Sequence, residues 1–237
     1  MYHAIGERDE APARFVLPIG AFERQMATLA RLRFNVLRLE DAVIRLLAGD
    51  DLPPRSVCLT FDDGTRDMLT LALPVLEKHG FPATAFVVTG TMGQKVSWTE
   101  RRGISQRPIL TWDEALRLQP LVSLAPHTRT HPSLPTIDDA ALAHEVRGSR
   151  TDLEAQTGLS HAFFAYPYGE FDDRVAAAAA EAGYVAALST KWGFSGPSTP
   201  PYALKRLEIG GKDSLTRFLR TLYLSEIEKR LGKALRR

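Results

Sequence analysis

The sequence predicts an α/β protein, a single barrel of parallel βα units running through residues 1–237. Three observations carry that expectation. Strand-like and helix-like segments alternate along the whole chain, with no linker or break in composition between them. The strand-like segments are short apolar runs, the pattern of strands buried on both faces. The chain is 44% hydrophobic and 24% charged, enough apolar material for a sizeable core in one soluble domain of 237 residues.

The elements follow in order. Residues 2–5 read as the end of a first strand, and Gly6–Pro12 as a polar loop. Over Ala21–Arg33 a helical face collects Phe22, Met26, Leu29 and Leu32. Phe34–Leu39 reads as a strand, and Asp41–Ala48 as a short helix stopped by Gly49. Pro53-Pro54 stiffens the entry to the strand Val57–Phe61. Beyond it Leu69, Leu73 and Leu76 form a helical stripe in which Pro74 must kink the helix or begin a new turn. Gly80 ends that helix, and Ala83–Val88 is the next buried strand. Thr89–Leu110 shows no period, and loops of that length inside compact domains are often functional. Thr111-Trp112-Asp113-Glu114 is a capping box opening a helix to Gln119. A strand over Leu121–Ala125 and a long amphipathic helix over Asp138–Thr157, stopped by Gly158, come next. Ala162–Tyr166 is a strand and Arg174–Ala182 a helix capped by Gly183. Tyr184–Ser189 and Leu204–Ile209 are the last strands, and a final helix starts near Asp213.

Composition narrows the function classes. A net charge of +2 is too balanced to argue for a nucleic-acid partner. The basic residues after Ser214, from Arg217 to Arg237, read as a solvated helix face. One cysteine, Cys58, in an expected buried strand allows no intramolecular disulfide. No apolar run approaches the ~20 residues of a membrane-spanning helix, so no integral membrane segment is expected. The first residues lack a basic region followed by an apolar one, so a cytoplasmic location is the expectation.

Three stretches carry chemistry. The strand Val57–Phe61 runs into Asp62, Asp63 and Gly64. Two buried carboxylates cost several kcal/mol each unless a cation, donors or water meets them. Gly64 lets the backbone turn at the rim where parallel α/β folds build their sites. Pro126-His127-Thr128-Arg129-Thr130-His131-Pro132 places two histidines four apart, facing one way if the segment makes one helical turn. Two neutral imidazoles and a carboxylate are a typical catalytic zinc set with an open position. Phe163–Tyr166 is again a buried strand, and it ends in the turn Pro167-Tyr168-Gly169.

Thr60-Phe61-Asp62-Asp63-Gly64, then His127-Thr128-x-x-His131, then Tyr166-Pro167-Tyr168-Gly169, in this order, resemble the polysaccharide deacetylase family, carbohydrate esterase family 4. Tyr2-His3, Ala72-Leu73-Pro74 and Leu204–Ile209 resemble its exopolysaccharide-modifying branch. The resemblance implies a distorted (β/α) barrel of seven or eight parallel strands, a divalent metal that is usually Zn2+, and removal of N- or O-acetyl groups from a glycan substrate. By position, Asp62 resembles the general base and Asp63 the metal carboxylate. His127 and His131 resemble the two imidazole ligands, and Tyr168 the residue whose backbone N–H faces the oxyanion.

Two departures stand out. Ala165 occupies the position where the family usually has the arginine that orients the base, and Arg206 on the last expected strand is the candidate to replace it. No histidine follows His161, so the usual late general acid has no match, and His3 is the candidate there. His79, His144 and His161 read as surface residues. Two other functions remain open: hydrolysis of a small non-sugar amide, and a catalytically inactive glycan-binding module. Intact Asp62 speaks against the second, since a binder needs no base beside metal ligands. An open groove with a sugar-stacking aromatic in the Thr89–Leu110 loop would favour glycans over a small amide.

Overall fold

The structure is a computed structural model that describes residues 1–96, 98 and 106–223. Its strands are β1 (Ala4–Gly6), β2 (Val16–Pro18), β3 (Asn35–Val36), β4 (Ser56–Val57) and β5 (Leu59–Phe61), followed by β6 (Ala83–Val87), β7 (Val122–Pro126), β8 (Phe163–Ala165), β9 (Ala186–Trp192) and β10 (Leu204–Arg206). The helices between them are α1 (Ile19–Arg31), α2 (Leu39–Ala48), α3 (Leu73–His79), α4 (Trp112–Leu116), α5 (Asp139–Thr157) and α6 (Asp173–Glu181). Residues 215–223 form α7. The basic residues beyond Arg220 that were expected on the last helix lie outside the described residues, as does much of the expected loop over Thr89–Leu110.

Strand pairing is parallel in every sheet, in the orders β1-β2, β3-β4, β5-β6-β7 and β10-β9-β8. The single strand expected over Val57–Phe61 is divided at Cys58. Val57 pairs with Val36, whereas Leu59 pairs with Ala83, so the chain changes partner there. β2 was not anticipated, because three residues are too few to show a period. Between the sheets, Tyr2 N–H donates to Thr60 O (2.8 Å) and Asp62 N–H to Tyr2 O (3.0 Å). Ile209 N–H donates to Met1 O (2.9 Å). The first three residues thus lie between β5 and the segment after β10, which carries His3 to the carboxylate pair.

The local signals explain the elements. Thr111 Oγ1 accepts from Glu114 N–H and Glu114 Oε2 accepts from Thr111 N–H, completing the capping box, although α4 stops at Leu116. Ahead of Pro74 the chain makes a wide π-turn over Met68–Ala72 and only then an α-helix, since proline offers no N–H to the preceding turn. The core packs α1 and α3 on the strands around Tyr2, Phe22 and Phe61, whose rings meet at 5.2–5.8 Å. His161 corrects the surface reading. It is 7% exposed, with Nδ1 on Leu124 O (2.9 Å) and Nε2 on Thr157 Oγ1 (2.8 Å), joining the end of α5 to β7. Cys58 is half-buried, and burial pushes its thiol up to about 12, so it is not a nucleophile at neutral pH. Among the described residues no helix is long and apolar enough to cross a membrane.

Candidate active site

The carboxyl ends of β5, β7 and β8 bring the three motif stretches to one cavity of about 110 Å³. Asp62 follows β5 and is 3% exposed. Arg206, from β10, grips it with both terminal nitrogens, Nη1 to Oδ1 and Nη2 to Oδ2, each at 2.7 Å. Arg206 is itself 6% exposed and also donates from Nε to Ser189 O (3.0 Å). Burial pushes the Asp62 carboxyl up. The Arg206 guanidinium, ahead of His127 and His3, outweighs it and leaves Asp62 below the usual carboxylate range. A fork of two charge-assisted bonds also fixes which way the carboxylate faces.

Asp63, His127 and His131 converge beside it, each at most 5% exposed, with ligand-type atoms all within 4.8 Å of one another. Asp63 Oδ1 lies 3.4 Å from His131 Nε2 and 3.8 Å from His127 Nε2. Donors held ~2.0–2.1 Å from a tetrahedral ion stand ~3.4 Å apart, so this set fits a divalent metal of zinc type. His127 Nδ1–H donates to Ala165 O (2.7 Å), which leaves Nε2 as the lone-pair atom facing Asp63. Burial pushes the His127 imidazole down to about 4, so it is the neutral, ligating form at pH 7. Asp63 is raised by burial, but contact with His131 and the charges of His131, His3 and His127 bring it below its ordinary value.

The histidines do not converge by a helical turn as expected. Residues 127–132 are irregular, and Thr128 (φ 68°) and His131 (φ 62°) take left-handed backbone. Asp63 (φ 75°) and Tyr168 (φ 59°) do the same, so four of the seven non-glycine residues with positive φ among the described residues line this cavity or, like Thr128, directly follow a residue that does. Such conformations cost ~1–3 kcal/mol each and collect at functional sites. The α-helical reading failed because a His-x-x-x-His spacing is equally served by left-handed residues at its second and last positions, Thr128 and His131.

Tyr168 sits in the turn after β8, its ring edge-on to His131 at 4.6 Å, and its carbonyl accepts from Thr190 Oγ1 (3.1 Å). His3 lines the same cavity, its ring tilted at 56° against Phe15 with centroids 4.5 Å apart, and its Nδ1 is buried and without a partner among the described residues. Burial lowers its imidazole, and Asp63 and Asp62 pull it partly back. Trp98 lies flat on His131, centroids 4.8 Å apart at 13°, with a buried Nε1–H that finds no partner among the described residues. Trp112 packs against the core instead of the cavity. Sequence reading missed Thr190, Glu208 and the carbonyl of Ala165. Thr190 carries no motif, Glu208 lies within Leu204–Ile209 where only Arg206 draws a role, and a backbone acceptor leaves no trace in residue type. A larger cavity of about 220 Å³ on the other side of Arg206 is lined mainly by apolar residues such as Leu46, Leu59 and Leu204, and its lining holds no carboxylate–imidazole set.

The sequence model of the polysaccharide deacetylase family matches residues 49–187. Bacillus subtilis YxkH is 25% identical over 209 residues, covering 88% of this chain and 70% of that protein. Poly-beta-1,6-N-acetyl-D-glucosamine N-deacetylase of Staphylococcus aureus is 25% identical over 195 residues, covering 79% of this chain and 66% of that protein. The chain therefore spans about two thirds of the length of these relatives. Among solved structures, the Streptococcus pyogenes deacetylase PplD in complex with acetate superposes with a TM-score of 0.80 at 26% identity, covering 94% of this chain and 96% of that one.

Proposed function

The chain belongs to the polysaccharide deacetylase family, and we propose that it is a metal-dependent hydrolase removing acetyl groups from a polysaccharide or glycan precursor. The observation that carries this reading is the pairing of two differently held carboxylates. Asp62 is locked by Arg206, while Asp63 faces two buried imidazoles. Asp63, His127 and His131 would hold one divalent metal, Zn2+ by the chemistry of the set. That ion would polarise the acyl oxygen and make water a better nucleophile near pH 7.

The remaining roles fall to the chain itself. Asp62, kept ionised and oriented by Arg206, takes the proton from the attacking water. The backbone N–H of Tyr168 faces the developing oxyanion, held by a turn that Thr190 ties to β9. His3 gives a proton to the leaving amine or alcohol. Acetate, the acid such a reaction releases, is the molecule named with the Streptococcus relative. An inactive binding module is disfavoured by the Arg206 grip, which a binder would not need on a carboxylate outside the metal set. On the same reading the parallel strands are staves of one distorted barrel. The Tyr2–Phe61 bridge and the Met1–Ile209 bond support it by linking successive sheets.

The test is acetate release by purified, zinc-supplemented protein from a panel of N-acetylated and O-acetylated oligosaccharides and small acetamides. Release from a glycan, with the acetamides inert, is the expected result. Acetate from none of the glycans would refute the reading, and turnover of the small amides alone would replace it.

A further inference from the structure

Glu145 lies on α5, 6% exposed, away from the cavity-lining residues. Its carboxylate nevertheless takes three donors, and all come from the segment between the two histidines. Oε2 accepts from the N–H of Arg129 (2.8 Å) and of Thr130 (2.9 Å), and Oε1 accepts from the Thr130 hydroxyl (2.6 Å). Three residues further along α5 is Gly148, where a Cβ would stand 2.5 Å from the Arg129 guanidinium carbon. Four residues beyond that, Asp152 takes the same guanidinium through Nε (2.7 Å) and Nη2 (2.5 Å). Positions 145, 148 and 152 share one helix face. That face is polar and inward, which is why α5 buries Glu145 and Ser149 beside Leu142, Val146 and Leu153.

The segment so gripped cannot hold its shape from local preference. Thr128 is β-branched at φ 68°, a true outlier, and His131 sits at φ 62°. Inside the segment the Thr128 hydroxyl accepts from His131 N–H (3.0 Å), but that bond presupposes the conformation and cannot anchor it to the fold. An outside group must over-determine such backbone. Glu145 is the group that meets its two central N–H donors.

We propose that Glu145 is a positioning residue of the metal centre, holding residues 129 and 130 so that His127 and His131 converge on Asp63. The proposal rests on the metal-site reading above. An Ala at 145 removes all three acceptor contacts. A Gln keeps one oxygen for the two N–H groups but loses the second acceptor, so it is the conservative, partly rescuing change.

The test is the apparent Zn2+ affinity of the purified protein, measured by competition with a chromophoric chelator, beside the melting temperature of the metal-free form. Wild type, Glu145→Gln, Glu145→Ala and, as a control in the same helix, Val146→Ala are compared. Supporting groups behind metal ligands are typically worth about 10–100-fold in affinity. The expected order is wild type, then Gln, then Ala, with Ala weaker by about that factor, and Val146→Ala melting lower at unchanged affinity. Wild-type affinity in Glu145→Ala overturns the inference alone. An equal loss in Val146→Ala also overturns it, because the effect would then be general destabilisation. Absence of Zn2+ binding in the wild type overturns the inference together with the metal-site reading. Should Glu145→Ala not fold, Thr130→Val removes one of the three contacts. It should weaken Zn2+ several-fold at a near-normal melting temperature, and unchanged affinity there overturns the inference.

Discussion

Replacing Arg206 by methionine tests the part of the site that departs from the family pattern. Methionine keeps much of the apolar stem but removes both 2.7 Å bonds to Asp62 and the guanidinium that lies over the Phe86 ring. Asp62 is 3% exposed, so the change strands a buried carboxylate. Breaking one side of a buried ion pair costs roughly 3–5 kcal/mol at neutral pH. The pH dependence is the sharper signature. In the wild type Asp62 titrates below its unfolded value of ~3.9. It therefore adds stability above that pH, and the contribution is lost as pH falls through the folded value. Without Arg206, burial is the largest influence left, ahead of the opposing His127 and His3, and lifts the folded pKa above ~3.9. The stability penalty should then grow as pH rises from about 4, because the unfolded chain ionises more readily than the folded one. Urea unfolding of both proteins between pH 4 and 7.5 reads that difference, and the titrations of all other groups largely cancel in it. The acidic limb of the pH–rate profile should move up as well, with metal content unchanged. A penalty flat across this range, with an unmoved acidic limb, would refute the idea that Arg206 keeps Asp62 ionised.

Other expectations follow from the same geometry. Asp62→Asn should retain metal and lose roughly 10²–10⁴-fold in turnover, the usual worth of a general base; full activity would place the base elsewhere. Asp63→Asn should lose bound metal as measured by elemental analysis, and normal stoichiometry would remove Asp63 from the ligand set. His127 titrates at about 4 when folded against ~6.5 unfolded, so its folded pKa is depressed and protons favour the unfolded chain between those values. The metal-free protein should lose roughly 3 kcal/mol as pH falls from 6.5 to 4, and stability that rises over that interval would contradict the burial argument. Gly169 has φ 71°, and a Cβ there would collide with the Thr190 hydroxyl and backbone nitrogen. Gly169→Ala should displace the Tyr168 turn and lower kcat more than it weakens metal binding, so equal losses in both would argue against a separate oxyanion role.

Much of this arrangement was legible because parallel βα folds gather strand ends, and the informative residues sit directly after strands. Asp62 and Asp63 follow an apolar run, His127 follows another, and Tyr168 a third. Arg206 could be singled out because a buried carboxylate must find a cation, and Ala165 offers none. What stayed hidden has physical reasons. Partner exchange at Cys58 is invisible in a run that is apolar on both sides of it. Left-handed backbone at Thr128 and His131 runs against local propensity, and the segment between them is met by tertiary contacts from Glu145, Thr89 and Gly90. His161 looks exposed at a helix end until its two nitrogens are placed on Leu124 O and Thr157 Oγ1. The amphipathic pattern of α5 does not show that Glu145 and Asp152 turn their carboxylates onto Arg129 and Thr130, or that Gly148 leaves room for the Arg129 guanidinium.

The most direct test of a metal-dependent deacetylase is acetate release from an acetylated glucosamine oligomer, followed as metal is stripped from the protein and returned. Release should disappear with the metal and recover in proportion to Zn2+ rebound, saturating at one ion per chain. Undiminished release from metal-free protein would contradict metal dependence.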